Sequence, residues 1–275
     1  MRALVTGGAG FLGSHLARAL LARGDEVCVL DDLSTGRSDN LAPGASFVRG
    51  DVRDAAVVNE AGAAVDVVFH LAAAVGARVV AADPVGTWSR NVQGTAALLD
   101  ACVRHGRRVL VASSSAVYGP AGGGPLRESE SSVVHPTGRR DVYAVSKAAG
   151  EAYAMALHRM ALLPVTAVRL FNVVGPRQSD RYGMVLPRFV RAATEGRPLA
   201  VYGDGLQRRC FLHVEDAVRA LLDLAPCAAA EGEVLNVGSP NEVTVLDLAR
   251  HVLDEVEGEG GVEFVPFERV YGEGF

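Results

Sequence analysis

Residues 2–13 read Arg-Ala-Leu-Val-Thr-Gly-Gly-Ala-Gly-Phe-Leu-Gly, a short apolar run that ends in a glycine-rich turn. Apolar residues then recur at helical spacing from Phe11 to Arg23, so the segment predicts a strand, a loop and a helix. Glycines at 7, 10 and 13 let the backbone approach a pyrophosphate, and the amino-terminal end of the helix attracts its charge. The stretch predicts a dinucleotide-binding fold, although such turns also occur for packing alone.

The same alternation of apolar run and helical pattern continues along the chain. Further apolar runs occur at 26–30, 46–48, 65–69 and 108–112, and helical patterns at 91–105 and 143–160. This order predicts an α/β fold, a doubly wound parallel Rossmann sheet with a smaller carboxy-terminal substrate-binding region. Prolines and a glycine turn shorten the pieces after residue 172. We therefore expect a dinucleotide-binding domain over 1–171, with returning elements near 209–240, namely a helix at 211–224 and a strand at 234–237. A second region is expected mainly over 172–275.

The composition is that of an ordinary globular enzyme. The chain has 275 residues, is 49% hydrophobic and carries a formal net charge of -5, which gives no reason to expect nucleic acid as a partner. Four cysteines stand far apart without a CxxC pair, so neither a disulfide nor a metal site is expected. There is no apolar run of membrane-spanning length and no amino-terminal signal pattern. We expect a cytoplasmic protein without a membrane partner.

A carboxylate near the glycine loop indicates which dinucleotide is bound. Asp31 lies 18 residues beyond Gly13, at the end of the second predicted strand. A carboxylate there accepts hydrogen bonds from the adenosine ribose and repels a 2'-phosphate, so NAD is favoured over NADP. Asp32 either shares this role or is a solvated strand end. Arg37 would weaken the argument if it folded back onto the ribose.

A tyrosine and a lysine stand one helical turn apart in Tyr143-Ala-Val-Ser-Lys147. The Lys147 ammonium is expected to draw the pKa of the Tyr143 phenol down from about 10, so that it acts as a general base. Lys147 is also a candidate for binding the nicotinamide ribose. Such pairs are often structural contacts, but the hydroxyls of residues 113–115 follow a predicted strand end, where ligands bind in α/β sheets. Together these features predict redox catalysis on a sugar-like alcohol.

The chain resembles the extended short-chain dehydrogenase/reductase family, and within it the NAD-dependent nucleotide-sugar epimerases and dehydratases of the UDP-glucose 4-epimerase type. The resemblance covers essentially the whole chain and rests on these motifs: TGGAGFLGSHL from Thr6, DDLSTG from Asp31, Gly50-Asp-Val52, Phe69-His-Leu-Ala-Ala73, Asn91, SSSAVYG from Ser113, YAVSK from Tyr143, Arg169-Leu-Phe-Asn172 and YGDGLQRRCF from Tyr202. It implies NAD as the cofactor of the domain over 1–171 and a nucleotide-diphosphate sugar, with a UDP-sugar favoured, as the substrate bound mainly by the region over 172–275. It also implies a homodimer.

The resemblance also implies site residues. The catalytic residues would be Ser114, Tyr143 and Lys147. The cofactor-binding residues would be Gly7, Gly10, Phe11, Leu12, Gly13, Asp31, Asp32, Asp51, Val52, Leu71, Ala72, Ala73, Asn91, Tyr143 and Lys147. The substrate-binding residues would be Ser115, Asn172, Val185, Leu186, Phe189, Val201, Tyr202 and Arg209. Asp51 and Val52 would contact adenine, Asn172 and Arg209 the substrate diphosphate, and 185–189 with 199–202 would enclose the base.

Some of these residues also have simpler explanations. His70 lies in an apolar run and is expected to be a packed residue, and Tyr118 is a candidate core residue. Without the resemblance, Arg209 beside Arg208 would be interpreted as a surface charge.

Residue 116 bears on the reaction. Family dehydratases and decarboxylases carry a glutamate just after the catalytic hydroxyl position, whereas this chain has Ser115-Ala116. A missing carboxylate cannot act as a general acid, so we expect 4-epimerisation through a transient 4-keto intermediate. The alternatives are a 4,6-dehydratase or a UDP-glucuronate decarboxylase, which would need another acid such as Glu128 or Glu130. Outside enzymes, the alternative is a non-catalytic NAD-binding regulator.

Two further segments differ from the usual epimerase pattern. Residues 136–143 resemble the decarboxylase pattern Pro-x-Gly-x-Arg-x-x-Tyr, in which Arg140 either faces a substrate carboxylate or anchors the loop. Family members also usually continue beyond the equivalent of Phe275, so we expect a shortened carboxy-terminal segment or a nucleotide pocket that is completed differently.

Overall fold

The computed structural model describes residues 1–119, 124–130, 141–257 and 260–271. Its contacts divide the chain into two compact units. The first unit comprises Met1–Arg177 and Leu212–Gly238, and the second comprises Gln178–Phe211 and the chain from Ser239. Within the described ranges, none of the helices combines the length and the apolar character needed to span a membrane.

A seven-stranded parallel sheet forms the centre of the first unit. Its strands are β1 (Arg2–Thr6), β2 (Glu26–Asp31), β3 (Ser46–Arg49), β4 (Val67–His70), β5 (Arg108–Ser114), β6 (Val165–Leu170) and β10 (Val234–Val237). They pair in the order β10-β6-β5-β4-β1-β2-β3, each pair parallel. The predicted doubly wound sheet is confirmed. The strand order reverses at β1, so the carboxyl ends of β1 and β4 border the crevice in which such sheets bind ligands.

Helices cover both faces of this sheet. They are α1 (Phe11–Ala22), α2 (Ala55–Ala63), α3 (Ala77–Ala82), α4 (Pro84–Trp88), α5 (Gly94–His105), α6 (Asp141–Arg159) and α8 (Val214–Leu224). Side chains alternate between the two faces of a strand, so Val5 of β1 packs with α1 and α8, whereas Leu4 packs with α2, α5 and α6. A short strand, β7 (Asn172–Val174), follows β6.

The structure differs from two of the predicted helix bounds. Asn91 lies in a π-helical turn, Ser89–Gln93, that joins α4 to α5, where the sequence predicts a helix from 91. The helix predicted over 211–224 begins only at Val214, because Phe211 belongs to a strand, β9 (Arg208–His213). The prediction was wrong there because the pairing partner of β9 is distant in sequence.

The second unit has its own small core. Its elements are α7 (Val185–Thr194), β8 (Leu199–Tyr202), the first four residues of β9, β11 (Glu242–Thr244), α9 (Val245–Glu255), β12 (Val262–Val265) and α10 (Phe267–Tyr271). Strand β12 pairs parallel with β8, and β11 pairs antiparallel with β9. Short 3-10 turns occur in the chain at Ser38–Asn40, Ser115–Tyr118, Asp180–Tyr182 and Ala228–Ala230.

His70 connects three elements of the first unit. Its side chain is 2% exposed, with Nδ1 2.8 Å from the Thr6 hydroxyl and Nε2 2.9 Å from the Thr95 hydroxyl. Burial, together with the nearby charge of Lys147, lowers the pKa of His70 to about 3. The imidazole is therefore neutral at physiological pH and acts as packed structure, as the sequence predicts.

The buried imidazole makes stability depend on pH. The pKa of His70 in the folded state lies below the unfolded value, so its stabilising contribution is complete above pH 6.5 and falls as the pH drops toward 3. As the pH falls from about 7.5 to about 5.5, protonation of His70 in the unfolded state should lower the free energy of unfolding by roughly 1.4 kcal/mol. We expect His70→Gln to lose less stability over this interval in urea unfolding. His251→Gln, which alters an exposed histidine, should keep the wild-type loss. An equal loss in the His70 variant would contradict this.

Candidate active site

The glycine loop between β1 and α1 forms a backbone cradle. Gly7 has a φ of +72°, and a Cβ atom there would lie 2.8 Å from the backbone nitrogen of Ala72. A Cβ atom on Gly13 would lie 2.2 Å from the Gly7 carbonyl oxygen, so both positions require glycine. Helix α1 begins at Phe11 after Gly10, which carries no side chain to cap it. This cradle fits a diphosphate at a helix amino terminus, as NAD requires.

Asp31 holds this loop against the end of β2. Its carboxylate accepts hydrogen bonds from the backbone N–H groups of Ala9, at 3.0 Å, and Leu33, at 2.8 Å, and burial raises its pKa. A carboxylate has further lone pairs, so Asp31 retains the capacity to accept a ribose hydroxyl. Asp32 accepts from the backbone and hydroxyl of Ser34, which supports the interpretation of a solvated strand end. Arg37 pairs with Asp39 at 3.0 Å on the surface.

The other predicted cofactor residues follow strands at the same edge of the sheet. Residues 71–73 follow β4 and are half-buried. Asp51 follows β3 and forms an ion pair with Arg53, which holds the pKa of the Asp51 carboxyl below its usual value. Val52 packs its side chain into the core beside Gly94, so an adenine contact there would fall to its backbone.

The end of β5 meets the first turns of α6. The Tyr143 side chain shares a hydrogen bond with Ser114, and Lys147 Nζ donates to the Ala112 carbonyl oxygen at 2.7 Å. Residues four apart lie on one face of a helix, so the tyrosine and the lysine both face the strand end. The structure thus brings together the three predicted catalytic residues, Ser114, Tyr143 and Lys147.

The charges of the pair differ from the sequence prediction. Burial raises the pKa of Tyr143, and the opposing contribution comes from the hydrogen bond to Ser114. The prediction that the pKa of Tyr143 lies below its usual value was therefore wrong for the protein by itself, because burial outweighs what favours the phenolate. Burial also lowers the pKa of Lys147 to about 8, against the opposing charge of Glu151. The reason is desolvation, which sequence spacing does not reveal.

Asn91 clamps the catalytic helix to the wall of the crevice. Its side-chain oxygen accepts from the Ala74 N–H at 2.8 Å, and its amide nitrogen donates to the Ala74 carbonyl and to the Ser146 hydroxyl. Ser146 in turn donates to the Tyr143 carbonyl at 2.7 Å. Both amide hydrogens of Asn91 are used in this clamp. These contacts give Asn91 a positioning role, and its contact with the cofactor stays a prediction.

Sequence reasoning missed a buried ion pair beside the lysine. Glu151 accepts two hydrogen bonds from the Arg169 guanidinium, at 3.0 and 2.8 Å, and both side chains are 8% exposed. The guanidinium also lies 4.7 Å from the centroid of the Tyr118 ring, which is buried as predicted. The sequence carried a signal for Glu151, which continues the four-residue spacing of Tyr143 and Lys147, but none for its pairing with Arg169.

The predicted substrate residues are divided between the two units. Ser115 and Asn172 lie in the first unit, and the remaining six lie in the second. Phe189 and Val201 are fully buried in the core of the second unit, so the prediction that they contact a base was wrong. Alternation along β8 turns Val201 inward, which a short strand of four residues does not reveal in sequence.

The other substrate candidates of the second unit lie nearer its surface. Val185 and Leu186 are partly buried against its core, and Arg209 is exposed on β9. Tyr202 is half-buried, and the Arg188 guanidinium lies 3.8 Å from the centroid of its ring. Sequence analysis missed Arg188.

Both alternative acids, Glu128 and Glu130, are engaged with the backbone. Glu128 accepts a hydrogen bond from the backbone N–H of Asn236 at 2.9 Å, which holds the pKa of Glu128 low. Glu130 accepts from the backbone N–H of Arg127 at 3.2 Å. Both carboxylates therefore accept hydrogen bonds from backbone N–H groups. Arg140 lies outside the described residues.

Comparisons with known proteins agree with this geometry. Residues 3–238 match the family model described as the NAD dependent epimerase/dehydratase family. UDP-N-acetyl-alpha-D-glucosaminuronate decarboxylase of Bacillus cytotoxicus is 38% identical over 100% of this chain and 86% of its own length. UDP-glucuronic acid decarboxylase 1 of Arabidopsis thaliana is 38% identical over 97% of this chain, which spans only 61% of that relative.

Solved structures show the same architecture. The UDP-glucose 4-epimerase of Thermus thermophilus, in complex with NAD, matches with a TM-score of 0.88 and 34% identity over 97% of this chain and 86% of that one. DesIV, a dTDP-glucose 4,6-dehydratase from Streptomyces venezuelae with NAD bound, matches with a TM-score of 0.87 and 34% identity over 99% of this chain and 91% of that one.

The cradle predicts a selective loss of cofactor binding. Gly13→Ala places a methyl group into the Gly7 carbonyl and should weaken NAD binding by roughly tenfold or more. Gly62→Ala is the matched control, because a Cβ atom there has no atom within 4 Å among the described residues. Calorimetric titration with NAD measures both variants. Equal NAD affinity of the Gly13→Ala and Gly62→Ala variants would contradict the assignment of the glycine loop as the diphosphate-binding site.

Proposed function

The chain belongs to the NAD dependent epimerase/dehydratase family, and on that basis we propose that it decarboxylates a UDP-linked hexuronate. The observation that carries the proposal is the placement of Ser114, Tyr143 and Lys147 at the end of β5. This arrangement suits oxidation of a sugar hydroxyl, the step that the alternative reactions share. The two decarboxylase relatives, similar over nearly the whole chain, support a hexuronate as the substrate.

Ser114 at the end of β5, with Tyr143 and Lys147 of α6, accepts and returns the proton of the reacting hydroxyl. NAD, when bound, supplies the acceptor for the hydride of the sugar C4 and later returns it. Tyr143 takes the proton from O4, the Ser114 hydroxyl supports it, and the charge of Lys147 favours the phenolate. The asparagine clamp keeps the carbonyl of Tyr143, and thus its helical turn, in place. The product of this step is a 4-keto sugar.

Decarboxylation of a 4-keto-hexuronate does not require an acid or a base at residue 116. A 4-keto-hexuronate is a β-keto acid, so the electrons of the C5–C6 bond pass to the C4 carbonyl oxygen as carbon dioxide leaves. Tyr143 protonates that oxygen to give an enol. The enol takes a proton from solvent at C5 while its O4 proton returns to Tyr143, which restores the 4-keto group. No side chain has to remove a proton from carbon. Dehydration differs, because a base must take the C5 proton and an acid must protonate the departing hydroxyl. Ala116 supplies neither, and Glu128 is engaged with the backbone.

A second candidate function is 4-epimerisation, the reaction that the absence of a carboxylate at residue 116 favours. In that reaction the 4-keto sugar turns over before the hydride returns, and no acid is needed beyond Tyr143. The likeness to 4-epimerase structures supports it. A non-catalytic regulator is disfavoured, because Ser114, Tyr143 and Lys147 are joined in one arrangement.

A substrate panel separates these reactions. The protein with NAD is incubated with UDP-glucuronate, UDP-N-acetylglucosaminuronate, UDP-glucose and dTDP-glucose, and product mass and stereochemistry are followed by mass spectrometry and NMR. We expect loss of carbon dioxide from a hexuronate. An isomer of unchanged mass would replace the proposal by epimerisation, and loss of water would contradict both.

Tyr143 is expected to be essential for the chemical step. Tyr143→Phe should lower turnover by roughly 10²- to 10⁴-fold, because the proton of O4 loses its acceptor. Affinity for NAD should remain near that of the wild type. Tyr153→Phe serves as the control, since this tyrosine of the same helix is exposed and donates to Asp100. If Tyr143→Phe retained its turnover, the assignment of Tyr143 as the acceptor of the O4 proton would be wrong.

A further inference from the structure

Lys147 is the one lysine of the chain, whose lysine and arginine residues number 27. An arginine remains charged at any physiological pH, whereas an ammonium gains or loses its proton when its surroundings change. Burial lowers the pKa of Lys147 to about 8. Its charge near neutral pH therefore depends on the charges around it.

Glu151 lies one helical turn beyond Lys147, on the same face of α6. Its carboxylate is held from two strands, by the Arg169 guanidinium of β6 and by the Ser113 hydroxyl of β5, which donates to Oε1. Ser113 follows Ala112, the residue whose carbonyl accepts from Lys147. Adjacent residues of β5 thus hold the lysine and the glutamate, and the carboxylate has no freedom to turn away.

Charged and titratable groups lie on α6, on the elements packed against it and on β4. They are Tyr143 and Glu151 on α6, His70 on β4, Arg169 on β6, Tyr118 after β5, Arg90 in the π-helical turn and Asp100 on α5. His70 is neutral, and the Tyr118 hydroxyl donates to Asn236 at 2.8 Å. Arg90 faces Asp83 at 3.9 Å, and Asp100 accepts from Tyr153. Glu151 is the group whose charge raises the pKa of Lys147.

We infer that Glu151 is a positioning residue that keeps Lys147 protonated and keeps α6 in register with the end of β5. The inference rests on the proposed function in that it explains how Lys147 holds the charge that favours the Tyr143 phenolate. A purely structural ion pair would stabilise the fold without affecting the lysine. Here the negative charge of the Glu151 carboxylate stabilises the protonated form of Lys147. The Arg169 guanidinium holds the carboxylate in place, and its positive charge partly offsets that of the carboxylate.

The single lysine makes a direct test practical. Full-length protein labelled with ¹³Cε-lysine gives one side-chain resonance, and its shift against pH reports the titration of Lys147 without substrate or cofactor. We expect a wild-type midpoint near 8. Glu151→Gln should lower the midpoint by roughly one pH unit, because an attractive charge is lost. Arg169→Gln should raise it, because a repelling charge is lost.

Glu231→Gln is the matched control. It removes the carboxylate partner of Arg108, at the opposite end of β5, and should lower stability without moving the midpoint. Circular dichroism verifies folding of each variant, and Arg169→Gln decides the question if Glu151→Gln does not fold. An unchanged midpoint in folded Glu151→Gln would overturn the inference, as would shifts of the same sign in both variants. Since no turnover is measured, this result stands apart from the substrate panel.

Discussion

A lysine ammonium buried at the end of β5 needs a hydrogen-bond acceptor, and the Ala112 carbonyl provides one at 2.7 Å. This contact fixes how α6 is rotated against the sheet, because residues four apart share a helix face. Tyr143 consequently reaches Ser114, and Glu151 reaches Ser113. The catalytic chemistry therefore depends on a register between one strand end and one helix.

Buried polar groups extend this register through the first unit. Asn91 ties the wall of the crevice to the turn that carries Tyr143, and Glu151 ties the same helix to Arg169 on the neighbouring strand. A buried polar group is costly unless it is paired, so a shift of α6 would leave several groups without partners at once. The cofactor cradle and the catalytic helix are thus parts of one rigid arrangement within that unit.

The scaffold does not by itself select the reaction. A 4-epimerase and a 4,6-dehydratase share this fold with TM-scores of 0.88 and 0.87, while the decarboxylase relatives share 38% identity. On the proposed function, Tyr143 serves oxidation at C4 whichever of the three reactions follows. What distinguishes them is how the 4-keto sugar is treated next, and here the methyl group of Ala116 replaces an acid.

The amino-acid sequence by itself determined the alternation of strands and helices, the glycine cradle, the preference for NAD and the pairing of Tyr143 with Lys147, because each depends on local spacing. Only the tertiary structure decided that Phe189 and Val201 are core residues and that burial raises the pKa of Tyr143. It also joined Glu151 to Arg169, 18 residues away. Burial and long-range pairing arise only when distant segments pack together, so no local pattern encodes them.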